Sequence, residues 1–152
     1  MGFSTADGLV MGTRTGSIDP GVLVALMRDE KLTLDQLEDL LYRKSGLLGL
    51  SGISGDMREL LASERPEAAE AVEYYCYSAA RHAASLVPAL GGVDAIVFTG
   101  GVGENAGPVR SRIMAHLAWL AVAPSDVHVI PANEELTMAR HVASVLALAP
   151  EA

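Results

Sequence analysis

The sequence predicts a helix-rich α/β fold with few strands. Several stretches combine a helix start signal with apolar residues at helical spacing, whereas only two short runs rich in β-branched residues, 93–99 and 127–131, are typical of strands. A helix lies between these two runs, which predicts a parallel βαβ unit. Because an isolated parallel pair leaves sheet edges and a sheet face uncovered, we expect the chain to be part of a larger α/β structure.

Composition limits the class of protein. A chain of 152 residues that is 50% apolar can bury one core, and its net charge of -8 disfavours a nucleic-acid partner. Cys76 is the single cysteine, which argues against a disulfide framework. The sequence has no apolar run of about 18 residues and its first residues lack a leader pattern, so we expect a cytoplasmic protein without a membrane partner. The mean hydropathy of +0.29 indicates that some apolar surface contacts a partner.

The first half of the chain contains three helix starts. Residues 1–18 are glycine-rich and predict a loop or short strands, after which Asp19 and Pro20 form a cap and a first turn. Thr33 and Gln36 form a capping box for a second helix that ends at residues 45–46. Residues 47–58 then predict a glycine-punctuated apolar loop that leads into a short helix capped by Ser54.

The second half holds the βαβ unit. Pro66 opens a long helix with a small or apolar stripe, and Gly91 and Gly92 end it. The first strand is followed by a glycine loop at 100–105 and a helix from about Pro108 to residue 120. A turn at 123–126 precedes the second strand, and Asn133 is placed to cap a last helix at 133–148.

The glycine loop is the first candidate for ligand binding. Glycines let a ligand approach the backbone closely, and a following helix N-terminus favours anions. Residues 101–106 (GVGENA) fit the dinucleotide fingerprint. That motif also requires an acidic residue at the end of the following strand, about 20 positions later, and the nearest one there is Glu134, about 30 positions after Gly103. The alternative is a tight turn between strand and helix.

Charged residues at three other places are candidates for nucleotide chemistry. Arg14, in a hydroxyl-rich loop, could grip a phosphoryl group, or be a solvated loop arginine. Asp56 and Arg58 could bind a ribose hydroxyl and stack on a purine, or form a helix cap and a surface ion pair. Glu134 and Glu135 could hold Mg²⁺, or serve as favourable first-turn charges.

Five stretches together, in order and spacing, resemble the C-terminal half of the acetate kinase family, with propionate kinase as a close relative. The resemblance covers nearly the whole chain. The stretches are GLVMGTRTGSIDP (8–20), KSGLLGLSG (44–52), DMR (56–58), FTGGVGEN (98–105) and IPANEEL (130–136).

The resemblance implies a partial ribonuclease H-like domain of the acetate and sugar kinase, Hsp70 and actin superfamily. It implies reversible transfer of the γ-phosphoryl group of ATP to acetate or propionate, with Mg²⁺, in a homodimer. By the same resemblance the whole of 1–152 is a truncated C-terminal nucleotide-binding domain, whose last helix packs toward an N-terminal domain. The implied roles are transition-state arginine for Arg14, Mg²⁺ ligand for Glu134, and the ATP/ADP site for Asp56, Met57, Arg58, Gly101, Val102, Gly103, Glu104 and Asn105.

Two departures from the family pattern limit what is expected of the chain. It begins where the family is halfway through, without the histidine-rich and Gly-Asn-Gly loops, so we expect the fragment alone to be inactive. It also has a very short connection from Val122 to Val127. The alternatives are a noncatalytic oligomerisation or interaction module and a dinucleotide-binding oxidoreductase domain. The choice between acetate and propionate depends on residues upstream.

Overall fold

The structure of the chain, a computed structural model, describes residues 2–146 and, for Glu134, the backbone only. Its helix-rich α/β character agrees with the prediction from the sequence. In chain order the described part contains α1 (Pro20–Arg28), α2 (Leu34–Arg43), α3 (Gly46–Ser51), α4 (Met57–Ala62), α5 (Pro66–Leu90), β1 (Ile96–Phe98), α6 (Gly100–Asn105), α7 (Gly107–His116), β2 (Val127–Val129) and α8 (Glu134–Val145).

The two strands pair in parallel, as the βαβ prediction requires. Ile96 lies opposite Val127 and Phe98 opposite Val129. Both strands have three residues and are shorter than predicted. In the described residues each strand pairs with one other strand, so its length is limited to the residues that this partner can bond. One further bond, from the Ile130 amide to the Phe98 carbonyl at 2.9 Å, extends the pairing. The carboxyl ends of both strands therefore lie at one edge of the sheet.

The first two helix starts are formed as predicted. The Asp19 carboxylate accepts a bond of 2.7 Å from the Gly21 amide, and Pro20 occupies the first turn of α1. In α2, the Thr33 hydroxyl accepts from the Gln36 amide while the Gln36 side chain accepts from the Thr33 amide, which is the complete capping box. Local sequence determines these starts because both partners lie within three residues.

The region 46–56 differs from the prediction. The expected apolar loop is the short helix α3, which tertiary contacts at its first turn stabilise. The cap of α4 is Asp56 rather than Ser54, with its carboxylate accepting from the Arg58 amide at 2.8 Å. The Ser54 hydroxyl instead accepts from the Asp56 amide at 3.0 Å and forms the turn before the helix.

The core lies between α5 and the helices α3, α4 and α7. The buried face of α5 consists of small side chains around Val72 and Cys76, which lets the neighbouring helices approach closely. Val109 and Leu117 fill the other side of this core. The apolar stripe predicted on α5 included Leu86 and Leu90 and is wrong at that end, where these side chains are 59% and 71% exposed.

The last two helices also differ in detail. The helix predicted to reach residue 120 ends at His116 and continues as a 3₁₀ turn over Ala118–Leu120. Asn133 has a left-handed backbone (φ 42°) and no side-chain cap bond, because capping requires an extended conformation. Residues 147–148 of the predicted last helix lie outside the described residues. Within 2–146 no helix is long and apolar enough to cross a membrane.

Candidate functional site

A cavity of about 1000 Å³ opens between three segments of the chain: the loop 11–14, the turn 55–58 with α4, and α6 with the start of α7. These segments are far apart in sequence, and the fold brings most of the predicted site residues together around one cavity. The predicted residues that line it are Arg14, Asp56, Met57, Arg58, Gly101, Val102 and Asn105.

Backbone bonds to the first turn of α3 hold the Arg14 loop in place. The Leu47 amide donates to the Met11 carbonyl, and the Leu48 amide donates to the Gly12 carbonyl, both at 2.9 Å. Gly46 (φ 63°) makes this approach possible, because a Cβ there would lie 2.7 Å from the Arg14 carbonyl oxygen. The helix α3, which the sequence predicts as a loop, therefore anchors the Arg14 loop.

The Arg14 loop is also pressed against the turn that carries Asp56. A Cβ on Gly12 would lie 2.8 Å from the Gly55 carbonyl oxygen, and a Cβ on Gly55 would lie 2.7 Å from the Gly12 carbonyl oxygen. Both distances are too short for a side chain at either position. Glycine at each position thus sets the spacing between two walls of the cavity.

Asp56 and Arg58 form a close pair at the rim of the cavity. Arg58 donates from Nε at 3.1 Å and from Nη2 at 2.5 Å to the Asp56 carboxylate. Its backbone amide donates a further hydrogen bond to the same carboxylate. The side-chain bonds to Arg58 lower the pKa of Asp56 to about 2. The Arg58 side chain is 88% exposed, so the pair lies where a ligand entering the cavity would meet it.

The glycine loop predicted at 100–105 is instead the short helix α6, six residues long. Side chains satisfy the backbone groups of this helix: Asn105 Nδ2 donates to the Gly101 carbonyl at 2.8 Å, and Arg110 donates to the Gly103 carbonyl at 2.9 Å. The structure places nothing within 4 Å of a Cβ built on Gly101. The backbone at Gly101 is therefore open to a ligand in the cavity.

Two of the predicted ligand-contacting residues do not line the cavity. Gly103 packs against Phe98, whose carbonyl carbon lies 3.4 Å from a Cβ built on the glycine. Glu104 accepts two backbone bonds through Oε1, from the amides of Gly100 and Ala132. Both residues therefore contact the protein backbone next to the cavity wall, at Phe98, Gly100 and Ala132, and do not line the cavity.

Among the described residues there is no group of three or more His, Cys, Asp and Glu side chains that could hold a metal ion. The side chain of Glu134, predicted as a Mg²⁺ ligand, lies outside the described residues. Its backbone begins α8 just beyond the carboxyl end of β2, at the sheet edge from which α6 also leaves. Mg²⁺ sites in nucleotide enzymes commonly use one or two carboxylates together with phosphate oxygens, so the site does not require a three-residue cluster.

The cavity combines apolar and charged walls. Met11, Leu61 and Val102 supply apolar surface, while Arg14 and Arg58 supply cations. Such a lining suits a ligand with a flat apolar part and an anionic part. The sequence did not predict Leu61 as a site residue, since its place in an amphipathic helix resembles any core position. Met11 lies in the stretch 8–20 that resembles the family, but no role was predicted for it.

The model of the acetokinase family matches residues 1–134 of the chain. An acetate kinase of Rhodopseudomonas palustris (strain TIE-1) is 48% identical over 162 residues, which cover 93% of this chain and 41% of that protein. An acetate kinase of Nitrobacter hamburgensis is 47% identical over 164 residues, covering 96% of this chain and 41% of its own length. The chain thus spans about two fifths of the length of these relatives.

Solved structures agree with these sequence matches. Acetate kinase of Porphyromonas gingivalis superposes with a TM-score of 0.87 at 33% identity, over 96% of this chain and 43% of that chain. A propionate kinase from Francisella tularensis gives 0.81 at 34% identity, over 90% of this chain and 40% of the other. These neighbours have the fold that the resemblance implied, and this chain contains part of it.

The relatives also have residues that this chain lacks inside the matched span. The alignment with the R. palustris protein covers 162 residues, whereas 93% of 152 residues is about 141, so about 20 aligned positions have no counterpart here. The assignment of this gap to the short connection between Val122 and Val127 stays a prediction. In the structure a 3₁₀ turn, Pro124–Asp126, closes that connection.

Proposed function

The chain belongs to the acetokinase family, and we propose that it forms the nucleotide-binding half of an acetate or propionate kinase. The proposed reaction is ATP plus acetate, giving ADP and acetyl phosphate by direct phosphoryl transfer. The observation that carries the proposal is the shared cavity, in which seven of the predicted site residues from three distant segments meet.

The adenosine part of the nucleotide is proposed to lie against α6 and the Asp56–Arg58 pair. The open backbone at Gly101 permits close approach of a ligand, and Val102 offers apolar contact. Arg58 can stack on the purine while the Asp56 carboxylate accepts a bond from a ribose hydroxyl. A cavity of about 1000 Å³ is large enough for a nucleotide.

The phosphate end is proposed to face Arg14. Phosphoryl transfer needs positioning and charge stabilisation more than covalent chemistry, and a guanidinium can bond two equatorial oxygens of the transferring group. Glu134 is the residue whose carboxylate would hold Mg²⁺. The ion would neutralise charge on the β- and γ-phosphates. Anchoring of the loop 11–14 by α3 supports the role of Arg14, because a rigid loop costs less to order on binding.

The rest of such a kinase is proposed to supply the acyl site. The chain spans about two fifths of its relatives, so we infer that acetate or propionate binds to residues that an N-terminal domain contributes, and that α8 packs toward that domain. We also infer a homodimer. Exposed apolar side chains on α8, such as Met138 and Val142, support a covering partner for this helix.

Isothermal titration calorimetry tests the proposal with the 152-residue chain. We expect saturable binding of ADP and of ATP in the presence of Mg²⁺, and no binding of NAD, which the dinucleotide alternative requires. Arg58→Ala should weaken ADP binding. A matched control is Arg65→Ala, because Arg65 is another exposed arginine paired with an acidic neighbour but lies outside the cavity. Absence of heat with ADP and ATP at saturating concentrations would contradict the proposal.

The second candidate function is a noncatalytic interaction module. It is favoured by the exposed apolar side chains of the sheet, since Val97, Val129 and Ile130 are each about half exposed. Analytical ultracentrifugation distinguishes the two. A module of this kind predicts self-association without nucleotide binding, and a compact monomer counts against it, whereas ADP binding in either oligomeric state supports the kinase half.

A further inference from the structure

We propose that Glu104 is a positioning residue that joins the nucleotide-contacting helix α6 to the segment leading into α8, and that it does not bind the nucleotide. The inference deepens the proposed function and rests on it. It changes the role implied by resemblance, in which Glu104 belongs to the ligand-contacting residues.

One carboxylate oxygen of Glu104 makes both bonds. Oε1 accepts from the Gly100 amide at 2.8 Å and from the Ala132 amide at 2.9 Å. Gly100 follows β1 and Ala132 follows β2, so this oxygen lies between the carboxyl ends of two adjacent parallel strands. Bonds from amides to a charged acceptor are stronger than neutral ones, and each amide would lose its acceptor without this side chain.

The backbone that carries Glu104 is itself fixed. Nη1 of Arg110, from α7, donates to the carbonyls of Gly103 and Glu104, both at 2.9 Å. Gly103 packs against Phe98 of β1 from the other side. The carboxylate is therefore presented from a rigid turn, which suits a residue whose task is to set the position of others.

By bonding both amides, Glu104 connects the two parts of the proposed nucleotide site. Gly100 directly precedes Gly101, which lines the cavity. Ala132 lies two residues before Glu134, the proposed Mg²⁺ ligand. If Glu104 no longer bridges them, we expect nucleotide affinity and the dependence of that affinity on Mg²⁺ to fall together.

Two substitutions separate positioning from direct ligand contact. Glu104→Gln keeps an acceptor oxygen at the same reach but removes the charge. Glu104→Asp keeps the charge but shortens the side chain by one methylene, so the oxygen no longer reaches both amides. Positioning predicts that the Gln variant keeps function and the Asp variant loses it. Direct contact with Mg²⁺ or nucleotide through charge predicts the reverse.

The experiment is calorimetry of ADP binding to the full chain with and without Mg²⁺, for the original protein and the Gln, Asp and Ala variants. We expect ADP with Mg²⁺ to bind about tenfold more weakly to the Asp and Ala variants, as lost charge-assisted bonds imply, and within about threefold of normal to the Gln variant. The increase in ADP affinity on adding Mg²⁺ should be smaller in the Asp and Ala variants and unchanged in the Gln variant. Glu70→Ala, an exposed position on α5 outside the cavity, is the control.

Hydrogen exchange of the unliganded proteins gives a readout that needs no nucleotide. The amides of Gly100 and Ala132 should exchange faster in the Asp and Ala variants and normally in the Gln variant. Unchanged exchange, or a Gln variant as impaired in binding as the Ala variant, would overturn the inference. If the original protein binds no ADP while exchange follows the expected pattern, the proposed function fails and the bridge itself stands.

Discussion

Asp56 illustrates how a single side chain serves both the fold and the proposed site. Its carboxylate caps α4 and pairs with Arg58, and these bonds hold its pKa at about 2. Because the folded pKa is lowered, the pair contributes stability that is present above the ordinary pKa of 3.8 and is lost as the pH falls through about 2.

We expect a carboxyl-carbon NMR titration to give Asp56 a midpoint near pH 2, and Arg58→Ala to move that midpoint toward 3.8. The physical reason is that Arg58 stabilises the charged carboxylate. Asp29, whose pKa is lowered by its own bond to Arg28, is the internal control and should not respond. An Asp56 midpoint that ignores the Arg58 substitution would show that the pair does not form in solution.

At the residue scale, the sequence predicted several side chains that lie together in the structure, but not which residues of a motif face the cavity. Arg14, Asp56 and Arg58 were assigned from residue type and local pattern, and they line one cavity. Glu104 was predicted to contact the nucleotide together with its neighbours in the motif, because a sequence motif does not show which side chain faces the ligand. Its acceptor role depends on Ala132, 28 residues away, which no local pattern reveals.

At the scale of elements, the spacing of the cavity walls depends on close backbone contact. We expect Gly12→Ala to lower the free energy of unfolding by about 1–3 kcal/mol, the usual cost of overpacking, because its Cβ would lie 2.8 Å from the Gly55 carbonyl oxygen. Urea unfolding measures the effect. Gly101→Ala is the matched control, since its Cβ meets nothing within 4 Å. Equal losses in both variants would refute the close contact.

The packing of α5 against α7 can be followed through Cys76. The thiol is fully buried, and burial raises its pKa to about 11. At pH 8 the thiolate is therefore roughly a thousandth of the total, even before access is considered. We expect a thiol reagent to label the native protein slowly and the urea-unfolded protein at once. Rapid labelling of the native protein would mean that this helix pair opens readily.

Elements whose signals lie within a few residues were predictable, and those stabilised by distant partners were not. The starts of α1 and α2 were predicted from local capping residues and are confirmed. The helix α3 was predicted as a loop. Its first-turn amides bond to carbonyls of the loop 11–14, and such distant partners cannot be seen in the local sequence. α6 was predicted as a loop for a different reason: three of its six residues are glycine, which has a low helix propensity, and side-chain bonds from Glu104, Asn105 and Arg110 satisfy its backbone groups.

At the scale of the whole molecule, the chain is proposed to contribute the nucleotide side of the reaction. We expect the 152-residue chain to form negligible acetyl phosphate from ATP and acetate, because it spans about two fifths of its relatives and the acyl site is proposed to lie in the part of them that it does not span. A hydroxamate assay measures the product. Full-length acetate kinase from R. palustris is the positive control, and robust hydroxamate from the chain alone would show that the absent part is dispensable.

The central claim is that the cavity between the Arg14 loop, the Asp56–Arg58 turn and α6 binds an adenine nucleotide. Hydrogen–deuterium exchange of the chain with and without ADP and Mg²⁺ tests it most directly. We expect slower exchange in peptides covering 55–58 and 100–106 and no change in α1, which does not line the cavity. Protection that is absent, or that falls on other parts of the chain, would contradict it.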